Sequence, residues 1–153
     1  MSNEPFNELI YNSTYRHGVD PKRRVQIPAK WRPSQPEVRF TLIPWPHKGM
    51  KSAFISVLPP EVMRELTVKL KGMPYSDPKS QALRRLLGGR SDSIVMDSAG
   101  RITIPEEMAI AADVLKDAVL VGTVDRFEIW NPKRHAEMNQ TDEALIDEAF
   151  GMI

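Results

Sequence analysis

One nine-residue pattern occurs twice in this chain, as Asp20-Pro-Lys-Arg-Arg24-Val-Gln-Ile27-Pro28 and as Asp97-Ser-Ala-Gly-Arg101-Ile-Thr-Ile104-Pro105. The Asp, Arg, Ile and Pro are identical in the two copies, and the separation is 77 residues (97 − 20) throughout. Such an internal repeat indicates that the chain contains two versions of one structural unit. What that unit does is therefore what the protein does.

Each copy predicts a strand, a tight turn, a second strand and then a helix. In Asp97-Ser-Ala-Gly100, the Asp side chain can accept hydrogen bonds from the backbone ahead of it, and Gly100 can adopt positive φ. Apolar and polar residues then alternate, which places the apolar ones on one face of a strand. Pro28 and Pro105 end the strands and suit the first turn of a helix.

The Asp and the Arg of each copy lie at opposite edges of the predicted turn. They can pair with each other, or point together at a ligand. A pair that only holds the turn is weak when it is exposed, and for a single copy the two interpretations are evenly balanced. The recurrence of the Asp-x-x-x-Arg spacing favours a role in binding.

Charge is distributed unevenly along the 153 residues, although the net charge is only +1. The segment Arg16–Arg32 holds six basic residues against one acid, and Lys79–Arg90 holds four basic residues and no acid. No Lys or Arg follows Arg134, where the chain becomes acidic. This asymmetry, more than the total charge, is the electrostatic feature that a function must explain.

Composition and spacing exclude several classes of function. The absence of cysteine excludes disulfides, thiol nucleophiles and thiolate metal sites. His17, His47 and His135 show no spacing typical of a catalytic triad or a metalloprotease, so we expect no enzyme activity, no catalytic residue, no metal and no cofactor. Glu4 and Glu8 argue against a secretory signal, and no apolar run reaches membrane-spanning length. A cytoplasmic protein without a membrane partner is expected.

The elements predicted along the chain form an α+β arrangement. Residues 1–12 are expected to be loosely ordered, and hairpins are predicted at 15–27 and 93–104. The other predicted elements are strands at 40–43, 54–57, 118–124 and 127–130, a loop at 44–49, and helices that start after Pro59, at Pro78, at Glu106 (to Val114) and at Pro132. The tryptophans Trp31, Trp45 and Trp130 are expected to lie in the core or in subunit contacts.

Two further features concern the helices and the length of the repeat. The helix from Pro78 is expected to end at Gly88-Gly89 and to bury Ala82, Leu83, Leu86 and Leu87.

Phe54 and Pro59 are matched with Phe127 and Pro132 at a spacing of 73 (127 − 54), which would make the second copy four residues shorter in its middle.

The first turn is the strongest candidate for a binding site, because Lys22, Arg23 and Arg24 are adjacent there. An arginine fork can bond two acceptors on a guanine edge or grip a phosphate. A two-stranded ribbon fits the major groove of DNA. The sequence therefore predicts double-stranded DNA as the partner.

The chain resembles the MraZ family of bacterial regulators. The resemblance is carried by the two repeats, by Arg84-Arg-Leu-Leu-Gly-Gly-Arg90 and by Leu120-Val-Gly-Thr-Val-Asp-Arg-Phe-Glu-Ile-Trp130. It implies a pseudo-twofold module of two AbrB-type swapped-hairpin units, assembled into a ring, typically an octamer. It also implies binding to short repeated boxes upstream of its own operon, in the division and cell-wall gene cluster, usually as a repressor. The resemblance thus leads us to expect a nucleoid-associated protein.

Carried over by position, the resemblance assigns DNA contact to Lys22 and Arg24 in the first copy and to Arg101 in the second. Our hypothesis adds Arg23 and lets Arg24 read a base edge. The structural frame of the motif consists of Asp20, Pro28, Asp97, Gly100 and Pro105. The expected organisation is a first unit at 14–61, a helical linker at 62–90, a second unit at 91–134 and a C-terminal helix and tail at 135–153.

The two copies are expected to have unequal duties. The family usually has Gly before the Arg, as in the second copy, but the first copy has Arg23 there. The second tip, Ser98-Ala99-Gly100, lacks a counterpart of the Lys22 that lies in the first tip, Pro21-Lys22-Arg23. We therefore expect the first unit to supply most of the DNA contact, and the second to contribute chiefly to pairing and assembly, with Arg101 held structurally by Asp97.

Two alternatives remain from the sequence. An antitoxin-like AbrB relative would bind DNA with the same fold and would use the acidic C-terminal tail to hold a toxin. An assembly or adaptor protein would oligomerise without binding DNA, but it would leave the basic first tip unexplained.

Overall fold

The protein is described by a computed structural model covering residues 9–153. The helices and strands in chain order are β1 (Thr14–Gly18), β2 (Arg24–Gln26), β3 (Arg39–His47), β4 (Met50–Leu58), α1 (Pro60–Lys71), α2 (Pro78–Arg90), β5 (Asp92–Val95), β6 (Arg101–Thr103), α3 (Glu106–Ala112), β7 (Asp117–Gly122), β8 (Phe127–Trp130) and α4 (Pro132–Phe150). A short 3-10 helix, Ala29–Trp31, follows β2. Within residues 9–153, none of the helices is both long enough and apolar enough to span a membrane.

Strands from both halves of the sequence form one antiparallel sheet. Its order is β1-β7-β8-β4-β3-β5, and β2 pairs with β6 in a separate two-stranded ribbon. The expected α+β class is confirmed, since four α-helices accompany these two sheets. Helices α2 and α4 begin where the sequence places proline at the first helical position and a capping side chain, Asp77 or Asn131, before it. Asn131, for example, accepts hydrogen bonds from the backbone N–H groups of Lys133 and Arg134 at 2.8 and 3.0 Å.

The ribbon pairs the two copies of the repeat with each other. Arg24 lies opposite Thr103, Val25 opposite Ile102 and Gln26 opposite Arg101. Because Arg24 and Arg101 are equivalent in the repeat, exchanging the two halves leaves this register unchanged. The side chains of Val25 and Ile102, at the centre of the ribbon, are only 1% and 0% exposed.

The predicted hairpins are correct in their turns and wrong in their strand pairing. The backbone N–H of Asp20 donates to the carbonyl of Arg24 at 3.1 Å, which closes the first turn. Beyond the turn the arms separate, because β1 pairs with β7 and β2 with β6. Cross-half pairing buries Val25 against its counterpart Ile102, which two arms of one short hairpin could not do.

A second ladder, between β4 and β8, also keeps its register when the two halves of the chain are exchanged. Ser56 lies opposite Glu128 at its centre. Equivalent residues of the two halves are therefore 72 positions apart in this ladder (128 − 56). The predicted spacing of 73 between Phe54 and Phe127 is wrong by one position. Phe127 thus corresponds to Ile55, and Pro132 to Pro60. A one-residue slip moves a strand side chain to the opposite face, and Phe54 indeed packs with Trp130, while Phe127 lies in the main core.

The main core is built around Trp31, whose side chain is fully buried. Its ring lies 5.1 Å from that of Phe127 and 6.0 Å from that of Tyr11, measured between centroids. Its indole N–H donates to the carbonyl of Asn12 at 3.0 Å, which satisfies the one polar group of the ring. The expected core role of Trp31 and Trp130 is confirmed, because both are buried.

The predicted loose order of residues 1–12 is wrong for the last part of this segment, around Tyr11. Tyr11 is buried, forms an isolated bridge with Val124 and exchanges two backbone hydrogen bonds of 2.9 Å with it. The aromatic ring supplies enough apolar surface to hold this segment against Trp31 and Phe127. Residues 1–8, including Glu4 and Glu8, lie outside the described residues.

The loop predicted at 44–49 is shorter than expected, because β3 continues to His47 and only Lys48 and Gly49 turn the chain. Pro44 has no backbone N–H, and it is tolerated within β3 because β5 pairs only with residues 39–42 of that strand. Beyond residue 42, the edge of β3 that faces β5 therefore needs no backbone donor.

Two helix ends also differ from the predictions. Gly88 and Gly89 lie inside α2, which continues to Arg90, and Leu86 is exposed instead of buried. Helix α3 ends at Ala112, because Asp113 adopts a left-handed conformation with φ of 54°.

Glu128 gives the fold a testable pH dependence. Burial raises the pKa of its carboxyl, although the Trp130 indole N–H donates to it at 2.8 Å. Because the folded pKa lies above the unfolded one, stability decreases as pH rises through the folded pKa. We expect Glu128→Gln, which keeps an acceptor oxygen, to raise the melting temperature at pH 7 by on the order of 2 °C. Near pH 3 the difference from wild type should vanish. The exposed Glu143→Gln serves as control, and equal gains at both pH values would contradict the assignment.

Candidate nucleic-acid interface

The first turn is organised by the carboxylate of Asp20. Its Oδ1 accepts hydrogen bonds from the backbone N–H groups of Lys22 and Arg24 at 2.9 and 2.8 Å. Its Oδ2 accepts from Nε of Arg24 at 2.6 Å. One side chain therefore holds both the turn backbone and the arginine that follows it.

The second turn repeats this arrangement around Asp97. Its Oδ1 accepts from the backbone N–H groups of Ala99 and Arg101, both at 2.9 Å, and its Oδ2 accepts from Nε of Arg101 at 3.0 Å. The Asp-x-x-x-Arg spacing is thus a local device that fixes an arginine on a tight turn. Since Arg24 and Arg101 are held identically, pairing to Asp does not distinguish a DNA-reading copy from a structural one.

Hydrogen bonds keep both aspartates ionised to lower pH than usual. The backbone N–H of Arg24 makes the largest contribution to lowering the pKa of Asp20, and the side chain of Arg24 adds to it. Asp97 has a lowered pKa for the same reasons, with the backbone N–H of Arg101 first. Each turn therefore carries an ionised aspartate beside its arginine at neutral pH.

The ribbon has one apolar and one polar face. Successive side chains of a strand point to opposite faces, and directly opposite residues share a face. With Val25 and Ile102 directed into the core, the outer face carries Arg24, Gln26, Arg101 and Thr103. Arg24 and Arg101 lie diagonally across the ladder, at a separation of about 7–8 Å for such neighbours. The structure thus brings the two predicted DNA-binding arginines together on one surface.

The two arginine forks keep donors available on that surface. The side chains of Arg24 and Arg101 are 30% and 33% exposed. Each uses Nε for its aspartate, and neither Nη atom of either residue donates to another group within residues 9–153. A nearby base edge or phosphate could accept bonds from these free Nη groups.

The remaining predicted residues occupy different surroundings at the two turns. Lys22 is exposed at the first tip. Arg23 has a φ of 62°, the left-handed conformation that Gly100 adopts in the second copy with a φ of 80°. The side chain of Arg23 donates from Nε to the carbonyl of Ile104 at 3.0 Å, so it also links the two halves.

The two prolines of the motif follow the ribbon strands. Pro28 precedes the 3-10 helix, and Pro105 precedes α3. Both positions match the predicted ends of the strands.

A family model described as "MraZ protein, putative antitoxin-like" matches residues 88–150. A protein of Clostridium tetani named Transcriptional regulator MraZ is 34% identical over 133 residues, which cover 87% of this chain and 89% of that protein. The chain belongs to the MraZ family. Proteins of the same name from Heliobacterium modesticaldum and Desulfitobacterium hafniense (strain Y51) are each 30% identical, and they cover 86% and 94% of this chain and 87% and 97% of their own lengths.

Membership in the MraZ family rests on both halves of the chain. The family model begins at residue 88 and so contains the second tip alone. The match to the Desulfitobacterium protein covers 94% of the chain, which leaves too few residues outside it to omit the first tip. The resemblance inferred from the repeats is therefore confirmed.

Three surface residues near the tips were not identified from the sequence. Gln26 donates from Nε2 to the carbonyl of Ala99 at 2.8 Å, and Thr103 lies on the same polar face. The alternation of residues along each copy could have indicated both. Arg32, whose guanidinium lies against Gly100, gives no local signal, because the two residues are distant in sequence.

The turn carboxylates predict an acid sensitivity. We expect Asp20→Asn and Asp97→Asn each to lower the melting temperature at pH 7, because the amide loses the charge that holds the arginine. An aspartate with a lowered folded pKa contributes stability above its unfolded pKa of about 3.9 and loses it as pH falls through the folded pKa. The difference from wild type should therefore shrink in acid. A pH series of thermal unfolding, with Asp117→Asn as the exposed control, measures it. A deficit that is constant down to pH 2 would refute the charge-based explanation.

Proposed function

We propose that this chain is a sequence-specific DNA-binding transcriptional regulator. The observation that carries the proposal is the polar face of the β2–β6 ribbon, where Arg24 and Arg101 lie in diagonal register and their Nη atoms donate to no group within residues 9–153. The relatives named as transcriptional regulators support the same conclusion. The protein acts as a repressor on short repeated boxes upstream of its own operon, in the division and cell-wall gene cluster.

The ribbon has the shape and chemistry needed to read a groove. The major groove admits a two-stranded β-ribbon, and an arginine fork bonds O6 and N7 of guanine. Arg24 reads a base edge in this arrangement, while the exposed Lys22 and the adjacent Arg23 touch phosphates. Arg101 has the same support from its aspartate as Arg24 has, which argues for a second reader on the same face.

The fold that delivers this face is a tandem of two AbrB-like swapped-hairpin units with an internal pseudo-twofold axis. The support lies in the two ladders whose registers are unchanged on exchange of the halves, centred on Val25/Ile102 and Ser56/Glu128. The first unit spans 14–61 and the second 91–134, joined by helices at 62–90 and followed by a tail at 135–153.

Several copies of this face act together. A ring of subunits, typically an octamer, presents several ribbons to tandem boxes. Effective concentration then raises the overall affinity above that of a single ribbon. In the cell such a protein is nucleoid-associated.

Substitution of the two arginines tests the proposal. We expect Arg24→Ala to weaken binding to the upstream boxes by about 1–3 kcal/mol for a base-reading contact, roughly 5- to 150-fold in Kd. Arg101→Ala should weaken it as well. The matched control is Arg64→Ala, an exposed arginine on α1 away from the ribbon. Fluorescence anisotropy with box and scrambled duplexes gives the affinities.

The salt dependence of the same titrations separates base-specific contacts from electrostatic contacts with phosphates. Wild-type affinity should fall steeply with salt, since each phosphate contact releases counterions. Retention of full affinity by Arg24→Ala, with loss only in Arg101→Ala, would show that the first unit is not the main reader. Equal affinity of wild type for box and scrambled DNA would exclude sequence-specific binding.

A second candidate function is that of an antitoxin-like regulator. Two observations favour it: the description of the matching family model, and the exposure of the distal part of α4, where Leu145, Ile146 and Phe150 are 53%, 44% and 67% exposed. This acidic helix would hold a toxin while the ribbon binds DNA. Co-purification of a toxin encoded beside this gene, lost on Leu145→Glu, would support it. Its absence from the purified protein, with no toxin gene adjacent, would reject it.

A further inference from the structure

The second tip holds an arginine that its own sequence lacks. Nε of Arg32 donates to the carbonyl of Ile27 at 2.9 Å. A Cβ atom placed on Gly100 would lie 2.5 Å from both Cζ and Nε of Arg32. The guanidinium of Arg32, a residue of the first half, therefore fills the space beside Gly100 where a side chain would otherwise stand.

The first tip achieves the same contact with a residue of its own. Position 23 is equivalent to position 100 in the repeat, and Arg23 shares its left-handed backbone. Nε of Arg23 donates to the carbonyl of Ile104 at 3.0 Å. Ile104 is the equivalent of Ile27 (104 − 27 = 77), so each end of the ribbon has an isoleucine carbonyl that accepts from an arginine Nε.

Both guanidiniums retain charge that no carboxylate of residues 9–153 neutralises. Within residues 9–153, neither Arg23 nor Arg32 has a carboxylate oxygen within 4 Å, since the ion pairs there involve other arginines. Arg32 also borders an open groove that contains Glu61, Glu65 and Asp125, and none of these reaches it. Each guanidinium uses Nε for a carbonyl, and its Nη groups make no other hydrogen bond within those residues.

We propose that Arg32 is the phosphate-contacting residue of the second tip, supplied by the first half of the chain. The inference rests on the proposed function, that the ribbon binds DNA. It changes the expected division of labour, because the tip that lacks basic residues in sequence acquires one in space. The ribbon then offers two matching cationic ends, Arg23 at one and Arg32 at the other, to the phosphates that flank the bases read by Arg24 and Arg101.

The test compares salt slopes in DNA titrations. Removing one phosphate contact should lower affinity equally for box and scrambled duplexes and reduce the slope of log K against log salt by about 0.9 for each ribbon bound to the duplex. We expect this for Arg32→Gln, whereas Arg32→Lys keeps the charge and should keep the slope. An unchanged slope in a folded Arg32→Gln protein would overturn the inference, because a residue that only braces the turn alters stability and not counterion release.

A double variant with a compensating substitution distinguishes loss of the phosphate contact from loss of folding. Arg32→Ala combined with Gly100→Arg rebuilds at the second tip the arrangement that Arg23 has at the first, and it removes the close contact with Arg32. We expect Arg32→Ala alone to reduce the slope by about 0.9 for each ribbon bound to the duplex, and the double variant to recover it. Failure of the double variant to recover slope, at a melting temperature equal to that of wild type, would refute the equivalence of Arg23 and Arg32.

The wild-type and Arg24→Ala titrations distinguish the role of Arg32 from the DNA-binding function of the ribbon. Specific binding by wild type that depends on Arg24, with no effect of Arg32→Gln on the slope, overturns only the role of Arg32. Absence of salt-sensitive binding by wild type overturns the proposed function, and the role of Arg32 with it.

Discussion

The antiparallel pairing of β2 with β6 is the constraint on which the rest of this structure depends. Each strand has only three residues, and a ladder this short would be marginal alone. It persists because Val25 and Ile102 are almost wholly buried beneath it, and full burial of such a side chain contributes about 1.5–3 kcal/mol. The same pairing turns the polar residues of both strands outward on a single face. Folding and the presentation of Arg24 and Arg101 are therefore one event.

The aspartates of the repeat convert this paired ribbon into a surface with defined geometry. Arginine side chains are normally flexible, and ordering them on binding costs about 0.5–1.5 kcal/mol for each immobilised side chain. Asp20 and Asp97 hold the Nε atoms of Arg24 and Arg101 before any ligand arrives. Part of the ordering cost is thus met during folding, because the carboxylates are already fixed by the backbone of each turn.

Local features of this protein followed from the sequence, and the pairing of its strands did not. The turns, the starts of α2 and α4 and the strand character of residues 118–122 depend on neighbours within a few residues, so patterns in the chain predicted them. The pairing of β1 with β7 and the one-residue offset between Phe54 and Phe127 depend on which faces meet in the core. Periodicity identifies a buried face but does not specify its partner.

The candidate site divides in the same way. The spacing of Asp20 from Arg24, and of Asp97 from Arg101, placed each pair within reach on one turn, because the five residues of the motif contain the whole contact. Only the tertiary structure decided that the two arginines share one face and that Arg32 lies against Gly100. The residues that share the face are 77 positions apart (101 − 24), and Arg32 and Gly100 are 68 positions apart (100 − 32). The free energy that selects these contacts comes from burying both halves in one core.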